Sequence, residues 1–166
     1  EELSLPREHF DVLVDFVDKE LMEAARSLPT KRTVNNLGRP TRGAALGLRS
    51  RVLLFAASPL FNGNTDLFDV KDCYGNLLIA QEYDESKWAR AAAAARDVIE
   101  LAKSADLYEL YTIAPKATTL EWERPPYNDE YSNKTYPDGW ADVDPLLSYK
   151  SIFDGTILGS KNRELI

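Results

Sequence analysis

Three residue types with distinctive side-chain chemistry are almost absent from this sequence. Its 166 residues include one cysteine, one histidine and one methionine. The single cysteine, Cys73, excludes an internal disulfide and any cysteine-based zinc site, and we expect a loop or core thiol there. The solitary His9 makes neither a metal site nor a catalytic triad. The scarcity of cysteine and histidine therefore excludes internal disulfides, cysteine-based zinc sites and catalytic triads that use histidine.

Positive charge and long apolar runs are also scarce. The chain has 20 Lys and Arg against 27 Asp and Glu, which gives a formal net charge of -7. This balance argues against nucleic acid as a partner, because phosphates require a basic face. No apolar run approaches the roughly 18–20 residues that a membrane-spanning helix needs. No signal peptide is visible, and the first residue is Glu1.

Catalytic sequence motifs are missing as well. The chain contains no G-x-S-x-G, H-E-x-x-H, P-loop or dinucleotide fingerprint. Acidic pairs of the glycosidase kind arise by chance in a sequence this acidic. Asp138, Asp142 and Asp144 could share a calcium ion, but their spacing does not follow the EF-hand loop. We therefore expect no enzyme activity, no cofactor and no metal site.

The spacing of apolar residues predicts three helices, at about residues 7–28, 41–57 and 85–104. The middle helix begins after Pro40 and Thr41, ends at Ser58-Pro59 and is apolar on most sides. Such a helix is expected to be buried between neighbours. A short loop before it makes the first two helices antiparallel neighbours.

The third helix has the spacing of a tetratricopeptide-repeat helix. Its expected apolar face carries the residues Trp88, Ala91, Ala92, Ala95, Val98, Ile99 and Ala102. Beyond it, residues 114–148 are rich in proline and aromatics and predict a long irregular segment. Disordered segments are poor in aromatics, so we expect an ordered binding or packing loop.

This aromatic segment is also the candidate binding site. A sugar presents an apolar C–H face, which rigid rings cover, and hydroxyls, which polar groups bind. The loop offers both kinds of side chain: Trp122, Tyr127, Tyr131, Tyr136 and Trp140, beside Arg124, Asn128, Asp129 and Asn133. The alternative is that these rings pack the loop onto the helices, as buried aromatics commonly do.

The stretch GRPTRGAALGLRSRVLLFAASPLFN, from Gly38 to Asn62, resembles a segment of SusD/RagB-type nutrient-binding outer-membrane lipoproteins. A "GR-T-KGAA-AL-ARV-LYAASP-FN" pattern is typical of that family, and Arg42 replaces its lysine without changing the charge. The third helix resembles the family's "D--KWA-AAAAA--VI" pattern. Residues 149–166 resemble its "Y--LF----N-EIIF" segment.

The resemblance implies an all-α fold of tetratricopeptide-like antiparallel helical pairs with a long aromatic-rich loop region. Residues 1–166 would form a single, incomplete helical domain, an internal fragment without the lipid-anchor region. The parent protein would capture oligosaccharides or polysaccharides at the outer-membrane surface and deliver them to a SusC-like TonB-dependent transporter. In this family the contact residues vary with the glycan, so the site residues named above rest on composition. The alternative function is a helical-repeat scaffold that binds peptides or partner proteins.

Overall fold

The computed structural model describes residues 6–36, 38–105, 108–155 and 157. This part of the chain contains four α-helices and no β-strand beyond two isolated bridges, which confirms the predicted all-α class. The helices are α1 (Phe10–Ser27), α2 (Arg42–Ala57), α3 (Ser86–Ala105) and α4 (Pro145–Phe153). The chain divides into two compact units: a three-helix unit that holds α1, α2 and α3, and a C-terminal unit that holds α4.

Local capping explains where α1 and α2 begin and end. The His9 side chain accepts a hydrogen bond from the backbone N–H of Asp11, so α1 begins about three residues later than the spacing predicted. Thr41 accepts a hydrogen bond from the backbone N–H of Ala44 and caps α2 as expected. Helix α2 ends at Ala57, because proline at 59 disfavours helical geometry in Ser58.

Helix α2 lies between α1 and α3 and runs antiparallel to both. At its N-terminal end the Arg42 guanidinium donates a hydrogen bond to the Ala25 carbonyl, late in α1. At its C-terminal end Leu53 packs with Val14, early in α1, and with Ala91, early in α3. The order of these contacts confirms the antiparallel arrangement and the central position of α2.

Small residues allow α2 and α3 to approach closely. Ala56 and Ala57 on α2 and Ala91 and Ala94 on α3 are buried in one apolar cluster. A second apolar cluster joins the other ends of the three helices around Ala25, Ala45 and Leu46. The core of this unit is therefore made mainly of alanine and leucine.

Two predictions about helix faces were wrong. Ala92 and Ile99 are exposed, while Ala94, which the predicted face omitted, is fully buried. Leu48, Leu54 and Phe55 on α2 are more than half exposed. The physical reason is that α1 and α3 cover only part of the α2 circumference in the described chain.

The C-terminal unit contains a helix that the sequence reading assigned to the irregular segment 114–148. Pro145 belongs to the proline-rich stretch that predicted irregular structure, but it occupies the first turn of α4, where its missing N–H has no intrahelical partner to lose. Asp144 is the N-cap and accepts a hydrogen bond from the backbone N–H of Leu147 at 2.8 Å. A short 3₁₀ turn, Glu121–Glu123, precedes this helix.

No helix in the described ranges combines the length and apolar character needed to cross a lipid bilayer.

Candidate functional site

A cleft of about 520 Å³ lies beside α4 in the C-terminal unit. One wall comes from the first turns of α4 and the other from the loop that leads to the Glu121–Glu123 turn. The lining residues are Lys116, Thr118, Thr119, Trp122, Asp144, Leu146, Leu147 and Lys150. An aromatic ring, apolar side chains, a hydroxyl and two ammonium groups therefore border a single cleft.

Hydrogen bonds tie the loop wall to the N-terminus of α4. The backbone N–H of Lys116 donates to the Thr119 hydroxyl at 3.2 Å, and that hydroxyl donates to Asp144 Oδ2 at 2.7 Å. The backbone N–H of Asp144 donates to the Ile113 carbonyl at 2.7 Å. The Ile113 N–H in turn donates to the Ser148 hydroxyl at 2.9 Å. Because Ile113 and Thr119 are both bonded to the first turns of α4, the loop wall is fixed against this helix.

Trp122 is the most exposed ring of the predicted site. Its side chain is 76% exposed, although the indole is large and apolar. Leu146 on α4 is 45% exposed beside it in the cleft, and Thr118 supplies an exposed hydroxyl. A flat ring, an apolar surface and a hydroxyl are the groups that a sugar ring requires.

The other four predicted rings do not line this cleft. Tyr127 is 68% exposed and its hydroxyl accepts a hydrogen bond from the Asn133 amide at 2.8 Å. Tyr131 and Tyr136 are less than half exposed, and Trp140 is half-buried. The cleft beside α4 therefore contains Trp122 and none of the other four predicted rings.

The predicted polar residues also fall outside the cleft. Arg124 and Asp129 are exposed on the loop. The Asn128 side chain accepts a hydrogen bond from the Glu130 N–H, and its own backbone N–H donates to the buried Ser132 hydroxyl. Asn128 therefore shapes a turn, which accounts for its position without a ligand.

The three aspartates considered for calcium do not gather into a group of metal ligands, and no such group occurs among the described residues. Both Asp144 carboxylate oxygens accept protein hydrogen bonds, and Asp142 accepts one from the Tyr136 N–H. The oxygens of Asp142 and Asp144 that accept these bonds are therefore engaged within the protein.

Ion pairs border a smaller cavity of about 240 Å³ in the three-helix unit. Lys87 pairs with Asp11, and Arg90 pairs with Asp15 and Asp18 across α1 and α3. Burial lowers the pKa of Arg90, but hydrogen bonds to both aspartates outweigh it and leave the pKa raised. These charges are already neutralised by one another, so the cavity offers little to a ligand.

A third surface is apolar. A groove of about 380 Å³ follows α1 and α2 and is lined by Phe10, Leu13, Val14, Val17, Leu48, Arg51, Val52 and Phe55. Leu13 is 50% exposed, Leu48 52% and Phe55 59%. Contiguous exposed apolar side chains of this kind mark surfaces that contact another macromolecule or another part of a polypeptide.

Of the eight residues that line the cleft beside α4, sequence reasoning named only Trp122 for glycan binding, and it missed both lysines, Lys116 and Lys150. The two lysines are far apart in the chain, and each alone resembles an ordinary solvated charge. The available signal was the Asp144-Pro145 pair, which is typical of a helix start. It would have placed Lys150 on a helix, one turn after Leu146 and Leu147.

Solved structures of a protein named BT4246 are similar to this chain. A structure of BT4246 is 40% identical over 65% of the chain with a TM-score of 0.58. A structure of selenomethionine BT4246 is 38% identical over 64% of the chain with a TM-score of 0.56. Each match covers 19% of that protein, so the present chain spans about a fifth of its length. These names state no activity or ligand, and no family model and no curated protein matches the chain.

Proposed function

We propose that this chain is part of a SusD/RagB-like lipoprotein that captures glycans at the outer-membrane surface without changing them chemically. The sequence patterns over α2 and α3 support the family. The likeness to a protein several times longer fits a chain that is one portion of such a molecule. The bound glycan would then pass to a SusC-like TonB-dependent transporter. The lipid anchor would belong to another part of the parent polypeptide.

The observation that carries this proposal is the exposed Trp122 ring in the cleft beside α4. An exposed indole covers the C–H face of a sugar with little loss of conformational freedom, since it has only two side-chain torsions. Thr118 can hydrogen-bond a sugar hydroxyl, because it is an exposed residue that lines the cleft. Affinity from one ring and a few hydrogen bonds is modest, which suits a protein that must release its ligand.

Affinity gel electrophoresis tests the proposal. The parent polypeptide, purified without lipid, is run through gels that contain different polysaccharides, beside its Trp122→Ala and Trp140→Ala variants. Tyr74→Ala is the control, because Tyr74 is 71% exposed but lies in the three-helix unit. We expect one glycan class to retard the parent, Trp122→Ala to lose that retardation and the Tyr74 variant to keep it.

Three results would contradict parts of the proposal. Retardation that survives Trp122→Ala would remove the cleft as the binding site, and loss in the Trp140 variant alone would move the site to the half-buried ring. Absence of retardation by every polysaccharide would contradict glycan capture itself.

The second candidate is a helical scaffold that binds a partner protein, which the apolar groove on α1 and α2 favours. Its occupant would be an amphipathic helix, whose apolar face at i, i+3, i+4 and i+7 fits such a groove. Arg51 lies at the groove and is exposed, so the helix should carry an acidic side chain opposite it. A parent polypeptide that binds no polysaccharide but binds such a helix would establish this alternative.

A further inference from the structure

The cleft beside α4 carries more positive than negative charge, in a protein that is acidic overall. Lys116 and Lys150 stand on its two walls, and both side chains are exposed. Neither ammonium group forms an ion pair with a described residue. In a chain with 27 acidic and 20 basic residues, two unpaired lysines on one cleft are a local reversal of charge.

The acidic residue in the cleft does not neutralise these lysines by direct contact. Asp144 is 4% exposed. Its Oδ1 accepts the Leu147 N–H at 2.8 Å and its Oδ2 accepts the Thr119 hydroxyl at 2.7 Å. Both carboxylate oxygens therefore cap α4 and hold the loop, and neither forms an ion pair with a cleft lysine.

We infer that the Trp122 cleft selects sugars that carry a negative charge, in the form of a carboxylate or a sulfate ester. This inference rests on the proposed function, since it assigns a substrate class to the same cleft. The indole would cover the face of one sugar ring, and the lysines would bind an anionic substituent on that ring or on its neighbour. Hydrogen bonds between an ammonium and an oxyanion are shorter and stronger than those between neutral groups.

Salt dependence makes the selection testable. The acidic surface of this chain repels a polyanion, so within this chain an attraction for an acidic glycan has to come from a local site. Because the lysines are exposed to solvent, salt screens their attraction within a Debye length of about 8–10 Å. Binding of the acidic ligand should therefore weaken as salt is added, while stacking on Trp122 should change little.

The test compares three polysaccharides by affinity gel electrophoresis of the parent polypeptide at low and high salt. Dextran is neutral, dextran sulfate is the same backbone with sulfate esters, and polygalacturonate carries carboxylates. The variants are Lys116→Gln, Lys150→Gln and their combination. Lys134→Gln is the matched control, because Lys134 is exposed in the same unit but does not line the cleft.

We expect at least one acidic polymer to bind more tightly than dextran at low salt. Each cleft lysine change should weaken that binding about threefold and the pair about tenfold, the size typical of exposed charge pairs. The Lys134 variant should bind like the parent, and Trp122→Ala should lose binding. Retention of polygalacturonate alone would identify a carboxylate ligand, and retention of dextran sulfate alone would identify a sulfate ester.

The contrary results separate the two proposals. Preference for a neutral glycan that depends on Trp122 but not on the lysines would overturn the charge selection and leave glycan capture standing. Equal losses in the Lys134 control would also overturn it, because the attraction would then be spread over the surface. Retention of an acidic glycan that survives Trp122→Ala would overturn the charge selection at this cleft, and only absence of retention by every polysaccharide, those of the first panel included, would overturn both.

Discussion

The two units of this chain are stabilised by different forces. In the three-helix unit the buried side chains are mostly apolar, with Leu53, Ala57 and Ala94 at most 3% exposed. In the C-terminal unit the buried side chains are mostly polar: Ser132, Asp144, Ser148 and Ser151, with Val143 as an apolar member. Apolar burial tolerates imprecise geometry, whereas a buried polar group is stable only when its hydrogen bonds are made.

This difference has a consequence for where a ligand can bind. A polar core fixes its loop by directed bonds and can leave a large ring such as Trp122 outside. An alanine-rich core draws its helices together, and the cavity of about 240 Å³ between them is bordered by charged side chains that pair with one another. The unit with the weaker apolar core is thus the one that carries the candidate glycan cleft.

The largest expected effect comes from removing apolar contact in the three-helix unit. Leu53→Ala should lower the free energy of unfolding by about 2–5 kcal/mol, because it leaves a cavity beside Val14 and Ala94. Leu54→Ala is the control, since Leu54 is 53% exposed, and it should cost no more than about 0.5 kcal/mol. Urea unfolding followed by circular dichroism gives both values. Similar losses in the two variants would show that this unit does not depend on its apolar core.

A smaller effect is expected from the polar core of the C-terminal unit. Asp144→Ala removes the cap of α4 and the partner of Thr119, which should destabilise α4 by about 1–2 kcal/mol. Amide hydrogen exchange should quicken in residues 145–153 and stay unchanged in α1–α3. Asp129→Ala is the control on the exposed loop. Unchanged exchange in the Asp144 variant would mean that apolar contacts hold this unit too.

The smallest effect is expected in a loop of the three-helix unit. Like the C-terminal unit, this loop is stabilised by hydrogen bonds to a carboxylate. Asp72 accepts hydrogen bonds from the Asn76 side chain and from the backbone N–H groups of Asn76 and Tyr74. The Asn76 side-chain bond is the largest cause of its lowered pKa. The pKa of this carboxyl is lower in the folded chain than in the unfolded chain. The carboxyl therefore stabilises the loop at pH values above the pKa of the unfolded state. This stabilisation is lost as the pH falls through the pKa of the folded state.

The measurement is an NMR titration of the loop amides from neutral to acid. The Tyr74 and Asn76 amide signals should move together, at a pH below the ordinary titration range of an aspartate. Asp72→Asn should remove this transition. Signals that move only with those of the helices would show that the loop has no separate acid response.

The sequence predicted the parts of the fold that depend on neighbouring residues. The cap at Thr41 and the stop at Ser58-Pro59 are local, so they located α2 to within a residue or two. Helix α4 was missed because proline disrupts the interior of a helix but is favoured in its first turn. Only the capping role of Asp144 shows that Pro145 lies in a first turn.

The candidate site was harder to predict than the helices. Composition identified the aromatic segment and the exposed Trp122, but it could not show that the other rings lie elsewhere. Lys116 and Lys150 reach one cleft only because Thr119 and Ile113 bond the loop to α4. Because tertiary hydrogen bonds bring the two lysines to the same cleft, the spacing of residues in the sequence does not indicate that they share it.

Asn62 joins the end of α2 to the approach of α3. It is 3% exposed; its amide donates to the Asp84 carbonyl at 2.9 Å, and its side-chain oxygen accepts the Asp84 N–H at 2.8 Å. One side chain thus closes a loop of more than twenty residues. The tip of that loop, residues 71–77, is mostly exposed. Insertions at the tip therefore need not disturb the helices, and evolution is free to lengthen or rewrite this surface while the helical frame stays the same.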